Sequence, residues 1–502
     1  MNEVKENKNV EIIQKEIIQQ GQVLDVIINR YGYGKITLIS ITCLFLTMLT
    51  EGIEFSLFSV YLIPLTSYYS FSSFQIKMIS SSMFLSIGFG SLISGYISQK
   101  FNRVSPIKIL YIFVIVFHFF MASFNNIYNF AICRNIIGFL IGVVIPIQFN
   151  VTTEYLPIKF RSFTMSSVWI AWNVGAMINA LLMMRFMPNL EKEKLYMCLI
   201  VMDIFCIFAF CFNLIYLEDS PRNLLLHNLN TEKAYHILTE MKGDTLTDID
   251  KSMITGQLLS QGVVRMDGNL KELFNSKYKI TSVLLFFLWF INSMVTYGLL
   301  LVYTLTLQSM KKNIVANTTL MSIAILPSSI FAGILSEIEI LGRKKAMIIG
   351  NFIPLFTITF CVIKTEYITL WYSLSNIFIS VSFTIVNSYT SEVYPTVIRD
   401  KALGIMFAGA RMGGFLSQII FLELNTINMY LPYYFSIGCN FICIFLVAFL
   451  PYETYNQPLD VVDTDSKVRL TVNKGKEMLF KEEEQEKLFT ENDNVNYSTF
   501  NI

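Results

Sequence analysis

Along most of the chain, apolar runs of about twenty residues alternate with short polar breaks. A run of that length crosses the hydrocarbon core of a bilayer as a helix, at about 1.5 Å per residue. The pattern predicts twelve such helices, at 36–62, 76–98, 105–123, 129–152, 163–187, 195–217, 280–306, 315–337, 346–363, 367–391, 402–423 and 428–450. The rhythm breaks once, over residues 218–278, which are largely polar. Within that stretch, "NTEKAYHILTEMKG" has helical amphipathic spacing, and a short helix lying on the membrane surface is expected. Residues 1–35 are polar and charged, so a cytoplasmic segment without a cleavable leader is expected there. Residues 452–502 contain "KEEEQEK", and a disordered cytoplasmic tail is expected.

Basic residues orient the array. Lys100, Arg103 and Lys108, then Lys159 and Arg161, then Arg343, Lys344 and Lys345, then Arg399 and Lys401 all fall in alternate loops. Cytoplasmic loops carry the Lys/Arg excess, so both termini and the central segment are expected on the cytoplasmic side. The Lys311–Lys312 pair and "EKEK" at 191–194 are the exceptions. The halves also repeat each other. "EYLPIKFR" at 154–161 and "EVYPTVIR" at 392–399 share E-x-x-P-x-x-x-R, each after the fourth span of its half. Arg103 and Arg343 both follow a second span. An all-α membrane protein is expected, with six-helix bundles at 36–217 and 279–451 joined by 218–278.

Composition narrows the function. The chain is 54% apolar and 15% charged, where soluble domains carry about 25% charged residues. Its net charge of +1 gives no handle for nucleic acid. The eight cysteines lie in apolar runs without a CxxC pair, so packing is expected and neither a disulfide framework nor a metal site. No G-x4-G-K-[ST] loop and no Ser/His/Asp set is present, which argues against an ATP-driven pump, an enzyme or a cofactor.

Away from the span ends, six charged or titratable groups fall inside spans: Glu51, Glu54, His118, Arg134, Asp203 and Arg411. Such residues usually face a bundle interior or pathway. Glu51 and Glu54 are three apart, on one side of the first helix. Neighbouring desolvated carboxylates favour sharing a proton, which makes the pair a candidate proton-coupling element. Two other readings stay open: an acid held by an arginine of the fourth or eleventh helix, and a direct substrate contact. Arg134 enters at the level of the acidic pair and is the candidate partner, with substrate contact as the alternative. Arg411, near mid-bilayer, is a candidate carboxylate receptor or a member of a buried salt bridge. Gln148, Trp172, Asn173, Asn292, Tyr297 and Asn387 are candidate substrate-binding residues, with helix–helix hydrogen bonding as the alternative.

Several short motifs, in order, resemble the major facilitator superfamily over essentially the whole membrane part. These are "YGYGKIT", "TEGIE", "RNIIGFLIGVVIP", "EDSPRNLLL", "EVYPTVIRDKALG" and "ARMGG". Within it, the chain is similar to the branch of synaptic-vesicle-protein-related and organic cation/anion transporters. The loop after the second span departs from the family pattern, with Gln99 for an acid and Asn102 for a glycine. The second copy keeps Gly342-Arg343-Lys344 and has Glu339 where aspartate is usual. The resemblance implies cytoplasmic charge networks that set conformation, drawn from Arg103, Glu154, Arg161, Asp219, Arg222, Glu339, Arg343, Glu392 and Arg399. It also implies that Asp203 and His118 lie on peripheral helices, where packing is the expected role. A basic residue at Arg411 matches anion carriers of that branch.

The expectation is a secondary-active carrier of a small organic ion, foremost a proton-coupled carboxylate such as nicotinate or pantothenate, by alternating access. An organic cation or sugar carrier is the alternative, and a non-transporting receptor of the same fold is the alternative from another class. The expected partners are the substrate, protons and the lipid bilayer. A monomer is the expected working unit, in the plasma membrane by default or in an intracellular vesicle.

Overall fold

The structure, a computed structural model, describes residues 27–69, 73–101, 103–123, 127–158, 160–186, 195–226, 231–242, 273–275, 277–394 and 396–455. The described residues are helical, with no strand. In the first half lie α1 (Lys35–Tyr69), α2 (Ser73–Phe101), α3 (Val104–Ser123), α4 (Ile127–Tyr155), α5 (Arg161–Phe186) and α6 (Leu195–Tyr216). Two short helices follow, α7 (Pro221–Leu226) and α8 (Thr231–Lys242). The second half has α9 (Lys279–Ser309), α10 (Ile314–Ala324), α11 (Ser328–Glu337), α12 (Gly342–Ile363), α13 (Ile368–Val393), α14 (Thr396–Ile427) and α15 (Leu431–Ala448). Nine helical stretches among the described residues are long and apolar enough to cross a membrane. Two shorter apolar helices, Val104–Phe120 and Ile200–Tyr216, stand at the expected third and sixth spans, and α2 occupies the second.

Three local expectations change. The span expected at 315–337 is broken into α10 and α11, because Pro327 has no N–H for the helical ladder and the chain tightens over 325–327. The loop expected around Arg399 and Lys401 is instead the opening of α14, since both side chains are taken into the protein rather than into water. The amphipathic helix α8 lays Ala234, Ile237, Leu238 and Met241 against protein, packing on α7 and α1. The N-terminal segment before residue 27, residues 243–272 and the tail beyond 455 lie outside the described residues.

Helix pairing positions the site. Within halves, α1 packs on α5, α2 on α4, α9 on α14 and α12 on α13. Between halves, α2 packs along α14, and α5 packs on α10 and α11. Gly52, between the two glutamates of α1, lies directly against the Trp172 carbonyl of α5, and Gly175 returns the contact on the Leu49 carbonyl. A side chain at either position would occupy backbone space, so small residues here bring the acidic turn of α1 beside the tryptophan of α5. Gly52→Val is expected to separate α1 from α5, cost about 1–3 kcal/mol, and lower the unfolding temperature of the detergent-purified protein in a thermal melt.

Candidate functional site

At one end of the helices, charges close the seam between halves. Arg103 pairs with Glu154 and, through Nε, with Asp400 at 3.1 Å. Ser98 donates to Asp400 at 2.6 Å, and Asn150 donates to the same carboxylate. Arg399 reaches Glu154 at 3.5 Å. Asp400 on α14 therefore gathers α2 and α4 from the other half. Beside it, the Phe163 N–H donates to Glu337 at 3.2 Å, and the Ser162 and Ser336 hydroxyls lie 3.1 Å apart.

The repeat is visible in the contacts. Arg343 pairs with Glu392 at 3.3 Å, as Arg103 pairs with Glu154. Arg161 donates to the Leu156 carbonyl and Arg399 to the Tyr394 carbonyl, five residues back in each case. Asp219 accepts the Val104 N–H at the start of α3, and Glu453 accepts the Arg343 and Lys344 N–H groups at the start of α12. Both carboxylates satisfy helix N-terminal donors and meet the positive end of the dipole. Burial pushes the Asp219 carboxyl above the usual carboxylate range, against the opposing pull of that N–H. Arg222 is buried at the start of α7. Glu339, expected in this network, is exposed on the turn after α11; Glu337, two residues earlier, holds Arg343 at 3.5 Å instead. Helix geometry turns residue 337 toward the seam, while 339 lies past the helix end.

A cavity of about 130 Å³ lies farther along, with walls from both halves. Phe55, Phe84, Arg134, Trp169, Trp172 and Asn173 contribute from the first half. Tyr297, Thr304, Ser322, Asn376, Phe383 and Gln418 contribute from the second. Phe55, Phe84 and Tyr297 form one aromatic cluster across the halves, with centroids 4.8–5.5 Å apart. Trp169 and Phe383 continue into a second cluster with Phe149, Trp289 and Phe407. Phe149 adjoins Asn150 of the charged seam, so this aromatic layer separates cavity from seam. From Arg134 to Asn150 along α4 is about 24 Å.

Behind the cavity wall the two glutamates of α1 take separate partners. Glu51 pairs with Arg411 of α14, whose Nη1 donates to the Tyr297 hydroxyl at 3.1 Å and whose guanidinium lies 4.6 Å from the Phe55 ring centroid. That ion pair joins the halves. Glu54 stands 3.8 Å from His118 Nε2 on α3, and His118 Nδ1 stands 2.9 Å from Asp203 on α6. The Arg134 Nη2 donates to the Glu54 carbonyl at 2.9 Å.

The candidate binding residues divide accordingly. Trp172, Asn173 and Tyr297 line the cavity, with Asn173 also reaching Ser329 of α11 at 3.3 Å. Arg411 is one layer back, behind Phe55 and Tyr297. Gln148 is spent inside the first half, accepting from Thr47 and Tyr111 and donating to Asn213. Asn292 donates to the Leu288 carbonyl of its own helix, and neither it nor Asn387 lines the cavity. Sequence reasoning missed Asp400, legible only as the residue after an expected loop arginine. It also set His118 and Asp203 apart from Glu54, because their pairing depends on three helices meeting.

The family profile described as "Sugar (and other) transporter" matches residues 37–465. The chain is 27% identical over 442 residues to the synaptic vesicle 2-related protein of Rattus norvegicus, covering 82% of this chain and 78% of that one. It is 25% identical over 427 residues to a "solute carrier family 22 member 15-like" protein of Xenopus laevis, covering 81% and 82%. Among solved structures, the proton:xylose symporter XylE bound to 6-bromo-6-deoxy-D-glucose superposes with a TM-score of 0.70 at 18% identity, over 85% of this chain and 98% of that one.

Asp400→Ala removes the acceptor shared by Ser98, Arg103 and Asn150. Leaving buried Arg103 with one carboxylate costs about 3–5 kcal/mol. Hydrogen exchange is expected to rise in 98–104 and 147–156 and stay unchanged in 342–363.

Proposed function

The chain belongs to the sugar (and other) transporter family of the major facilitator superfamily, and from that premise we propose that it is a proton-coupled carrier of a small organic carboxylate. It is a multi-pass membrane transporter, and its family's work is moving solutes and not covalent chemistry. One observation carries the substrate class: among the described lining residues, the single permanently charged side chain is Arg134, and no Asp, Glu or Lys accompanies it. A guanidinium in an aromatic, low-dielectric wall recognises a carboxylate by charge-assisted hydrogen bonds. An organic cation would meet the wrong sign there. Trp172 and Tyr297 supply faces for the apolar or planar part of the ligand, which suits vitamin-like carboxylates such as nicotinate or pantothenate.

Two six-helix bundles, 36–217 and 279–451, rock about this cavity, giving twelve spans with both termini and the 218–278 segment in the cytoplasm. The Arg103–Glu154–Asp400 seam is then the cytoplasmic gate, shut in the conformation described. Of the two glutamates, we assign the coupling proton to Glu51. A proton there removes the charge that holds Arg411 across the halves, so loading and release of the proton alternate with the strength of that joint. The plasma membrane is the default location.

A sugar or other polyhydroxylated solute is the second reading, supported by Asn173, Asn376 and Gln418 beside two indole rings. Only Asn173 of these stands on the fifth, seventh or eighth span, where a sugar site would concentrate its amides. Uptake of labelled carboxylates, amines and sugars into proteoliposomes, with and without an inward proton gradient, separates the readings. A carboxylate is expected to accumulate with acid outside; accumulation of a sugar alone overturns the proposal. Arg134→Ala is expected to raise KM for the carboxylate about 10- to 100-fold, with Arg134→Lys intermediate. Glu51→Gln is expected to abolish gradient-driven accumulation while leaving carboxylate exchange. Accumulation that still follows pH in Glu51→Gln removes Glu51 from coupling.

A further inference from the structure

We propose that Glu54, His118 and Cys206 form a binding site for one divalent transition-metal ion of the zinc class. The three come from α1, α3 and α6, and their ligand atoms all lie within 4.8 Å of one another. All three residues are buried. His118 Nδ1 lies 2.9 Å from the Asp203 carboxylate, an acceptor that favours the proton on Nδ1, so the neutral imidazole presents its Nε2 lone pair toward Glu54 and Cys206. Nε2 has no hydrogen-bond partner, and neither has Glu54 Oε2. The separation of Nε2 and Glu54 Oε1, 3.8 Å, is too long for a hydrogen bond. It is close to the ~3.4 Å that two ligands keep on a tetrahedral ion with bonds of about 2.1 Å. A carboxylate on the far nitrogen of a histidine is also how metal-bound imidazoles are oriented and made more basic.

The donor set selects the ion. An imidazole and a thiol suit zinc, cobalt or nickel and are poor ligands for magnesium or calcium, which require oxygen. On binding, the Cys206 S–H bond breaks, its proton leaves to solvent, and a metal–sulfur bond replaces it. The dipositive ion then meets one carboxylate and one thiolate, so the coordination sphere is neutral, as an apolar interior demands. A bound ion ties α1 to α3 and α6 and stiffens the helix that also carries Glu51. This inference is independent of the substrate and of proton coupling.

The test uses the full-length protein purified in detergent. Metal content after growth in zinc-supplemented medium is expected at one zinc per chain. Metal-free protein titrated with Co2+ is expected to show a thiolate-to-cobalt charge-transfer band that saturates at one equivalent and is displaced by Zn2+. Cys206→Ser is expected to lose the band and the bound zinc while still running as a monodisperse species. Cys443→Ser, remote on α15, should keep both. Asp203→Asn should weaken cobalt binding about 10- to 100-fold without removing any ligand. No zinc and no band in the wild-type protein overturns the proposal. So does a band that survives Cys206→Ser or an affinity unmoved by Asp203→Asn, which would mark an adventitious ion only.

Discussion

A charge enclosed by apolar side chains must be met by a partner, and the organisation of this transporter follows from that constraint. An unpaired buried ion costs several kcal/mol. Pairing therefore dictates which helices stay together. Glu51 with Arg411 ties α1 to α14, and Arg103 with Glu154 and Asp400 ties α2, α4 and α14. Pairs such as Arg343 with Glu392 lie within one half, while Glu51–Arg411 and Arg103–Asp400 join the two. Under the proposed alternating access, the cross-half pairs at the seam and behind the cavity set the relative stability of the two states.

The internal repeat shows how one solution is used twice and then modified. Each half places an arginine after its second span against a glutamate at the end of its fourth. Each caps the helix after that arginine with a carboxylate that follows its last span, Asp219 or Glu453. Among the described residues, the first copy alone adds a cross-half acceptor, Asp400, to its arginine.

The cavity and the buried charges behave as two layers. Aromatic side chains line the cavity, and Arg411 lies behind them, bonded to Tyr297 and stacked on Phe55. Among the described lining residues, Arg134 is the charge at the cavity itself. By sequence position Arg411 was open to two readings, a carboxylate receptor or a member of a buried salt bridge, and it pairs with Glu51, on another helix 360 positions away in the chain. Contacts between residues that far apart leave no mark in local pattern.

Length and periodicity of apolar runs determined the helical membrane architecture, because a bilayer accepts only segments whose backbone is satisfied internally. The paired E-x-x-P-x-x-x-R motifs and the loop arginines determined that two related halves exist and where their charged networks lie. Tertiary structure decided what each charge faces. It turned Glu337 rather than Glu339 toward Arg343, withdrew Gln148, Asn292 and Asn387 from the cavity, broke a span at Pro327, and gathered Glu54, His118, Asp203 and Cys206 from three helices. A helix's sequence specifies which side is apolar, but the rotation and depth at which it meets its neighbours come from close contacts such as Gly52 on Trp172, and these exist only once the bundle is packed.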